Sequence, residues 1–141
     1  RRPDADFTLV NFMRANIYSA FATLAMGLEI LKNEDVAVDT LLGHGGLFKT
    51  PGVAQRYLAA AAGAPVTCME TAGEGGPYGM ALLAAYRLHR AEGETLADYL
   101  KTRVFAGARS TTVTPDAADV AGFASFLREY ERALKAERAV V

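Results

Sequence analysis

The stretch that most constrains this chain is Thr40-Leu-Leu-Gly-His-Gly-Gly-Leu-Phe-Lys-Thr-Pro-Gly52. A short apolar run, Val38 to Leu42, stops there at a glycine cluster. The cluster leads into Thr50-Pro51, which reads as a helix N-cap followed by proline at the first helical position. Strand, glycine turn, helix start is the order that brings a phosphate or nucleotide against bare backbone. Glycine permits close approach, and a helix N-terminus offers unpaired N–H groups and a positive dipole end. The spacing alone does not make a site. Gly43, Gly45 and Gly46 lack the third glycine of GxGxxG, which would fall at Phe48, and there is no GxxxxGK[ST] P-loop. On spacing only, a structural strand-to-helix turn outweighs a ligand loop.

The rest of the chain gives that loop a setting. With 141 residues, half of them hydrophobic, it is long enough to bury a core, and it reads as one α/β unit, residues 1–141. Net charge is −1 with both signs mixed along the chain, so no basic stripe argues for nucleic acid or an anionic membrane. Residues 9–31 are rich in apolar side chains, but Asn11, Arg14, Asn16, Ser19 and Glu29 interrupt them, which argues against a membrane span. Cys68 is the only cysteine and sits in the apolar run Pro65–Met69, where a buried structural thiol is expected rather than a nucleophile. The start lacks a signal-peptide layout, and a reduced, cytoplasmic location fits. The chain opens on Arg1-Arg2-Pro3-Asp4 without Met, which reads as a piece of a longer protein.

Asp4 or Asp6 is the expected cap of a first helix to about Lys32, with Leu9, Phe12, Met13, Ile17, Phe21, Leu24, Leu28 and Leu31 at three- and four-residue steps. So apolar a helix belongs in an interior layer or at a domain interface. Val36–Leu42 is the first expected strand, a helix over about 51–62 closes at Gly63, and Pro65–Met69 is a second strand. A second glycine turn, Glu70-Thr-Ala-Gly-Glu-Gly-Gly-Pro-Tyr-Gly79, precedes a helix over about 77–91. Twice the chain runs strand, glycine turn, helix, which with short connections predicts a parallel βαβα arrangement. Thr95 caps a helix from Leu96 to Phe105, Gly107 to Thr112 reads as irregular and exposed, and Thr114-Pro115-Asp116 opens a last helix to about Ala139.

Candidates for chemistry are few. His44 and His89 are the only histidines, with no HExxH or His/carboxylate cluster, so a protein-held metal has little support. His89 reads as a surface or rim residue. Glu34, Asp35 and Asp39 before the first turn, or Glu70 and Glu74 in the second, could hold a hydrated Mg²⁺, but Glu74 equally suits its own helix N-terminus. Lys49, the one cation of the first loop, either reaches a phosphate or lies in solvent. No serine has a histidine partner, and no residue makes a convincing general base.

Together the two turns resemble a known family. Leu42-Gly-His-Gly-Gly-Leu-Phe-Lys-Thr50, followed by Gln55-Arg-Tyr-Leu-Ala-Ala-Ala-Ala-Gly-Ala-Pro-Val66, resembles the adenosine motif of the FGGY carbohydrate kinases. Glu74-Gly-Gly-Pro-Tyr-Gly-Met-Ala-Leu-Leu-Ala-Ala85 resembles that family's second connecting motif. The upstream helix and Phe126–Leu134 are similar to flanking helices of its C-terminal domain, and the likeness is greatest to xylulokinase-type enzymes. His44 interrupts the family's usual run of three glycines, and Leu47 stands where alanine is common.

The resemblance implies the C-terminal part of an actin/hexokinase-like (ribonuclease H-like) ATPase domain, with short parallel strands and flanking helices. It implies ATP bound between two domains, its γ-phosphate passed to a sugar hydroxyl with Mg²⁺. It places Gly45 and Gly46 nearest the nucleotide, then Leu47, Lys49 and Thr50, with Gln55 a marginal member. Glu74, Gly75, Gly76 and Gly79 would belong to the connecting motif, the glycines letting that helix pack where the domains close. The family's catalytic aspartate and sugar site lie in an N-terminal domain that this chain does not contain, so no residue here is expected to be catalytic and the piece alone is expected to be inactive. A free-standing nucleotide-binding or regulatory module, and an α/β interaction domain with merely structural glycine loops, remain the alternatives. The apolar first helix, without a partner layer, predicts self-association.

Overall fold

Helical periodicity sets the scaffold. In the computed structural model, which describes residues 6–139, the first helix α1 is Leu9–Asn33. Its cap is Thr8, whose side chain accepts from the Asn11 N–H, and not Asp6, whose backbone carbonyl takes the Asn11 side chain instead. Asp4, the other candidate, lies outside the described residues.

The sheet has three strands in the order β1-β2-β3: β1 Leu41–Leu42, β2 Val66–Met69 and β3 Ser110–Val113. β1 and β2 are parallel, with Leu41 opposite Val66 and Leu42 opposite Thr67, as the strand–turn–helix order requires. The Leu41 and Gly43 amides donate to the Pro65 and Thr67 carbonyls, both at 2.9 Å. The strand expected over Val36–Leu42 is only two residues long. β2 begins at Val66 and offers no partner further back, while the Val36 amide turns to the Leu31 carbonyl at the end of α1.

β3 corrects the expectation of an irregular stretch at Gly107–Thr112. It lies antiparallel to β2, Val66 opposite Val113 and Met69 opposite Ser110. The Thr67 and Thr112 hydroxyls meet at 2.8 Å across the pair. Three exposed polar residues hide the strand from a hydrophobicity reading; pairing with β2 supplies what its own side chains do not.

The α2 helix, Val53–Ala62, also starts differently from expectation. Thr50 is not the N-cap of α2, a place taken by Gly52, and Pro51 is not its first helical residue. Gly46–Lys49 forms a 3₁₀ turn first, so the chain must reverse before α2. It does so at Pro51-Gly52, with Gly52 at φ 77°, the backbone that a proline–glycine type II turn assigns to glycine. Gly63 closes α2 in the left-handed conformation, as expected.

The core is built round α2, which packs on β2 and β3 and is covered by α1 and the last helix α5, Ala117–Arg138. Tyr18 and Phe21 from α1, Leu58 from α2, Phe123 from α5 and Val66 from β2 are its larger members. Ala22, Ala54, Ala59 and Ala60 keep the helices close. Tyr18 stands edge-on to Tyr57 and Phe123, with ring centres 5.4 and 5.2 Å away. Arg56 and Asp119 pair between α2 and α5.

Two helices stay outside that core. α3, Gly75–His89, has no buried residue; it meets α4, Leu96–Tyr99, through the rings of Tyr86 and Tyr99. Thr95 caps α4 through the Asp98 amide, as expected, and a π-turn over Leu100–Val104 extends it. Asp116 caps α5. α1 is not an interior helix here. Its buried residues are Tyr18, Phe21, Ala22 and Ala25, while Leu9, Val10, Phe12, Met13 and Ile30 face outward, each more than half exposed.

Candidate functional site

Both glycine turns leave the sheet at the carboxyl ends of its parallel strands, where open α/β sheets form their binding crevices. The first turn is held from below. A Cβ on Gly43 would fall 2.4 Å from Cε1 of Phe48 and 2.8 Å from Sγ of Cys68, so only glycine lets the Phe48 ring fold back over the end of β1. Gly45, at φ 100° and ψ 179°, occupies backbone space that is essentially glycine's own.

The second turn, a 3₁₀ turn over Ala72–Glu74 running into α3, is joined to the first at four points. The Gly45 amide donates to the Ala72 carbonyl at 2.6 Å. His44 lies on Gly75, where a Cβ would come within 2.7 Å of Nδ1. The Lys49 stem crosses Gly73, 3.1 Å from the place of a Cβ. Lys49 Nζ and Glu74 Oε1 pair at 2.5 Å with both side chains more than half exposed. The sequence shows two loops; the fold makes them one.

Beside this junction lies a cleft of about 640 Å³, within the range of small-molecule sites. Phe48, Pro51, Cys68, Met69 and Ala72 supply its apolar lining, Lys49, Glu70, Glu74 and Arg109 its charges, and Ser110 and Thr111 its hydroxyls. Cys68 is buried and unpaired, as its sequence setting predicts, and burial pushes its thiol up from the ordinary range, while a hydrogen bond with the Gly43 backbone acts the other way. It has the environment of an inert thiol.

The expected site residues separate. Lys49, Gln55 and Glu74 line the cleft. Gly45 holds the junction, with its amide already occupied. Gly46, Leu47 and Thr50 are exposed and do not line it. Gly75 seats His44, whereas Gly76 and Gly79 have nothing within 4 Å of an added Cβ. Gln55 is buried, and its amide donates to the carbonyls of Val66 and Thr111 at 3.2 and 2.9 Å while accepting from the Thr111 hydroxyl at 3.3 Å. It crosslinks α2 to the sheet with its amide fully engaged. Arg109, Ser110 and Thr111 were not anticipated; the run of β-branched residues over Thr111–Val113 was the only signal, and it is weak.

The edge of the apolar slot carries two cations, Lys49 and Arg109, and two carboxylates, Glu70 and Glu74. Among the described residues no group of three or more His, Cys, Asp or Glu could hold a metal ion.

The model of the FGGY family of carbohydrate kinases, C-terminal domain, matches residues 1–88, more than half of the 141-residue chain. The chain belongs to the FGGY family of carbohydrate kinases. No curated protein and no solved structure matches it. The family implies the actin/hexokinase-like ATPase fold, with which this mixed α/β chain and its small three-stranded sheet are compatible. The matched span takes in α1, both glycine turns and nearly all of α3; Arg109 to Thr111 lie beyond it. Among the described residues no helix is long and apolar enough to cross a membrane.

Proposed function

We propose that this FGGY C-terminal domain is the ATP-binding portion of a cytoplasmic sugar kinase acting on a xylulose-like ketose, and that alone it is inactive. One observation carries the reading: the two glycine turns of the family motifs, joined by a bond between Gly45 and Ala72 that spans 27 residues, close on each other beside a nucleotide-sized cleft at the ends of parallel strands. ATP supplies the phosphoryl group. This chain's part is to seat the base against Phe48, Cys68, Met69 and Ala72 and to hold phosphate near Lys49. The Glu74 to Gly79 segment faces the domain that brings the sugar. Phosphoryl transfer depends on positioning and charge stabilisation from both sides of a closed cleft, so half a cleft binds without turning over.

The exposed apolar residues of α1 support a further part of the reading, that the isolated chain self-associates. The alternative of an interaction domain draws on one fact: the Gly43 and Gly45 amides are both engaged within the chain and cannot donate to a phosphate.

A titration of the chain with ATP and Mg²⁺, followed through backbone amides by NMR, separates the two. Shifts clustered over Gly43–Thr50 and Glu70–Glu74 support the kinase reading; an intact fold with no shift there favours the interaction domain. Assaying the longer natural protein with xylulose and other ketoses then tests the acceptor.

A further inference from the structure

We propose that Arg109 binds the phosphates of the nucleotide, as the cation on the β3 side of the cleft. The inference rests on the nucleotide reading of that cleft and adds a residue lying beyond the matched span 1–88.

The two cations that line the cleft flank the end of β2. Lys49 comes from the β1 side, after the first glycine turn, and Arg109 from the β3 side, immediately before Ser110. They are not in equivalent states. Lys49 is neutralised by Glu74 at 2.5 Å. Arg109 lines the same cleft with an exposed side chain, and among the described residues no carboxylate lies within ion-pair distance of it. Its backbone is nonetheless fixed. The Arg109 carbonyl accepts from the Glu70 amide at 3.1 Å, and the next residue, Ser110, pairs with Met69. A guanidinium on an anchored strand end, beside an apolar slot, is the available partner for a ligand anion. Its planar fork of donors matches two phosphate oxygens at once.

The chemistry narrows the ligand. A free sugar offers neither the flat apolar face for the Phe48–Met69 lining nor the anion for Arg109, whereas a nucleoside phosphate offers both. Arg109 reads the phosphate end only. It therefore discriminates ATP from adenosine, and its removal leaves the base seat intact.

The experiment compares the 141-residue chain with its Arg109→Ala and Arg109→Lys variants. Each is titrated with ATP and with adenosine, following the amides of Gly45–Thr50 and Glu70–Gly73, with urea midpoints to check the fold. Arg109→Ala is expected to weaken ATP about fivefold to tenfold while leaving adenosine unchanged, with Arg109→Lys in between. Unchanged ATP binding in Arg109→Ala, or an equal loss for ATP and adenosine, overturns the assignment and leaves the nucleotide cleft standing. If neither ligand shifts these amides in the unaltered chain, the nucleotide reading falls and Arg109's role with it.

Discussion

The Gly45 amide and the Ala72 carbonyl meet at 2.6 Å, tying together two glycine turns that the sequence sets 27 residues apart. Around that bond His44 rests on Gly75 and Lys49 on Gly73, so substitutions in either turn act on both.

Gly43→Ala tests how tightly the first turn is built. The added methyl would meet the Phe48 ring edge and the buried Cys68 sulfur, so both must shift to admit it. A loss of about 1–3 kcal/mol is expected, as for other overpacked sites. Urea unfolding measures it, and a midpoint equal to that of the unaltered chain would contradict the packing.

Glu74→Gln separates binding from stability. The Lys49–Glu74 pair is exposed, so its loss should move stability by less than about 1 kcal/mol. Lys49, freed from its internal anion, should then hold ATP about twofold to fivefold more tightly, with Lys49→Ala acting in the opposite direction. Calorimetric titration at low salt reads both; weaker ATP binding in Glu74→Gln would mean that Glu74 itself serves the ligand.

Gln55→Leu should act on folding before it acts on ligand. The change strips partners from the Val66 and Thr111 carbonyls at a buried crossing of α2 and the sheet. A loss of about 1–3 kcal/mol is expected. ATP affinity measured well below the unfolding midpoint should change little. A large affinity loss with unaltered stability would return Gln55 to the nucleotide site.

Alkaline pH should weaken the fold. Burial raises the Cys68 thiol above its ordinary 9.0, and burial likewise is the main cause that raises the Tyr18 hydroxyl above 10.0. Between ordinary and raised values the folded chain keeps protons that the unfolded chain releases, so stability falls as pH rises. The contribution is fully present below about pH 9 and is lost through the alkaline range above it. Urea midpoints from pH 8 to 11 should decline, and Cys68→Ala should flatten the earlier part of that decline.

The outward side of α1 should make the isolated chain associate. Phe12→Glu, at a half-exposed position that contributes nothing to the core, is expected to shift the mass measured by light scattering toward monomer with little change in melting. A clean monomer in the unaltered chain at high concentration would count against self-association.

Much of the fold was legible before any coordinates. The spacing of Ile17, Phe21, Leu24 and Leu28 describes α1, Gly63 ends α2, Thr95 caps α4, and Thr114-Pro115-Asp116 opens α5. The candidate site was legible less fully. The glycine motifs mark the carboxyl ends of the parallel strands, but they do not show that the Gly45 amide is engaged, or that Lys49 lines the cleft while Gly46, Leu47 and Thr50 do not.

What the sequence determined by itself is the set of helices, the parallel relation of β1 and β2, and the family. Each rests on local periodicity, short connections or contiguous motifs, all carried by neighbours in the chain. The tertiary structure alone decided the rest. β3 exists because β2 offers it an edge, β1 is short because β2 offers it so little, and Gln55 ties α2 to the sheet because Thr111 lies across from it. Arg109 enters the cleft through the same pairing. These outcomes depend on partners dozens of residues away, and a hydrogen bond between distant backbones leaves almost no mark on the side chains either strand carries.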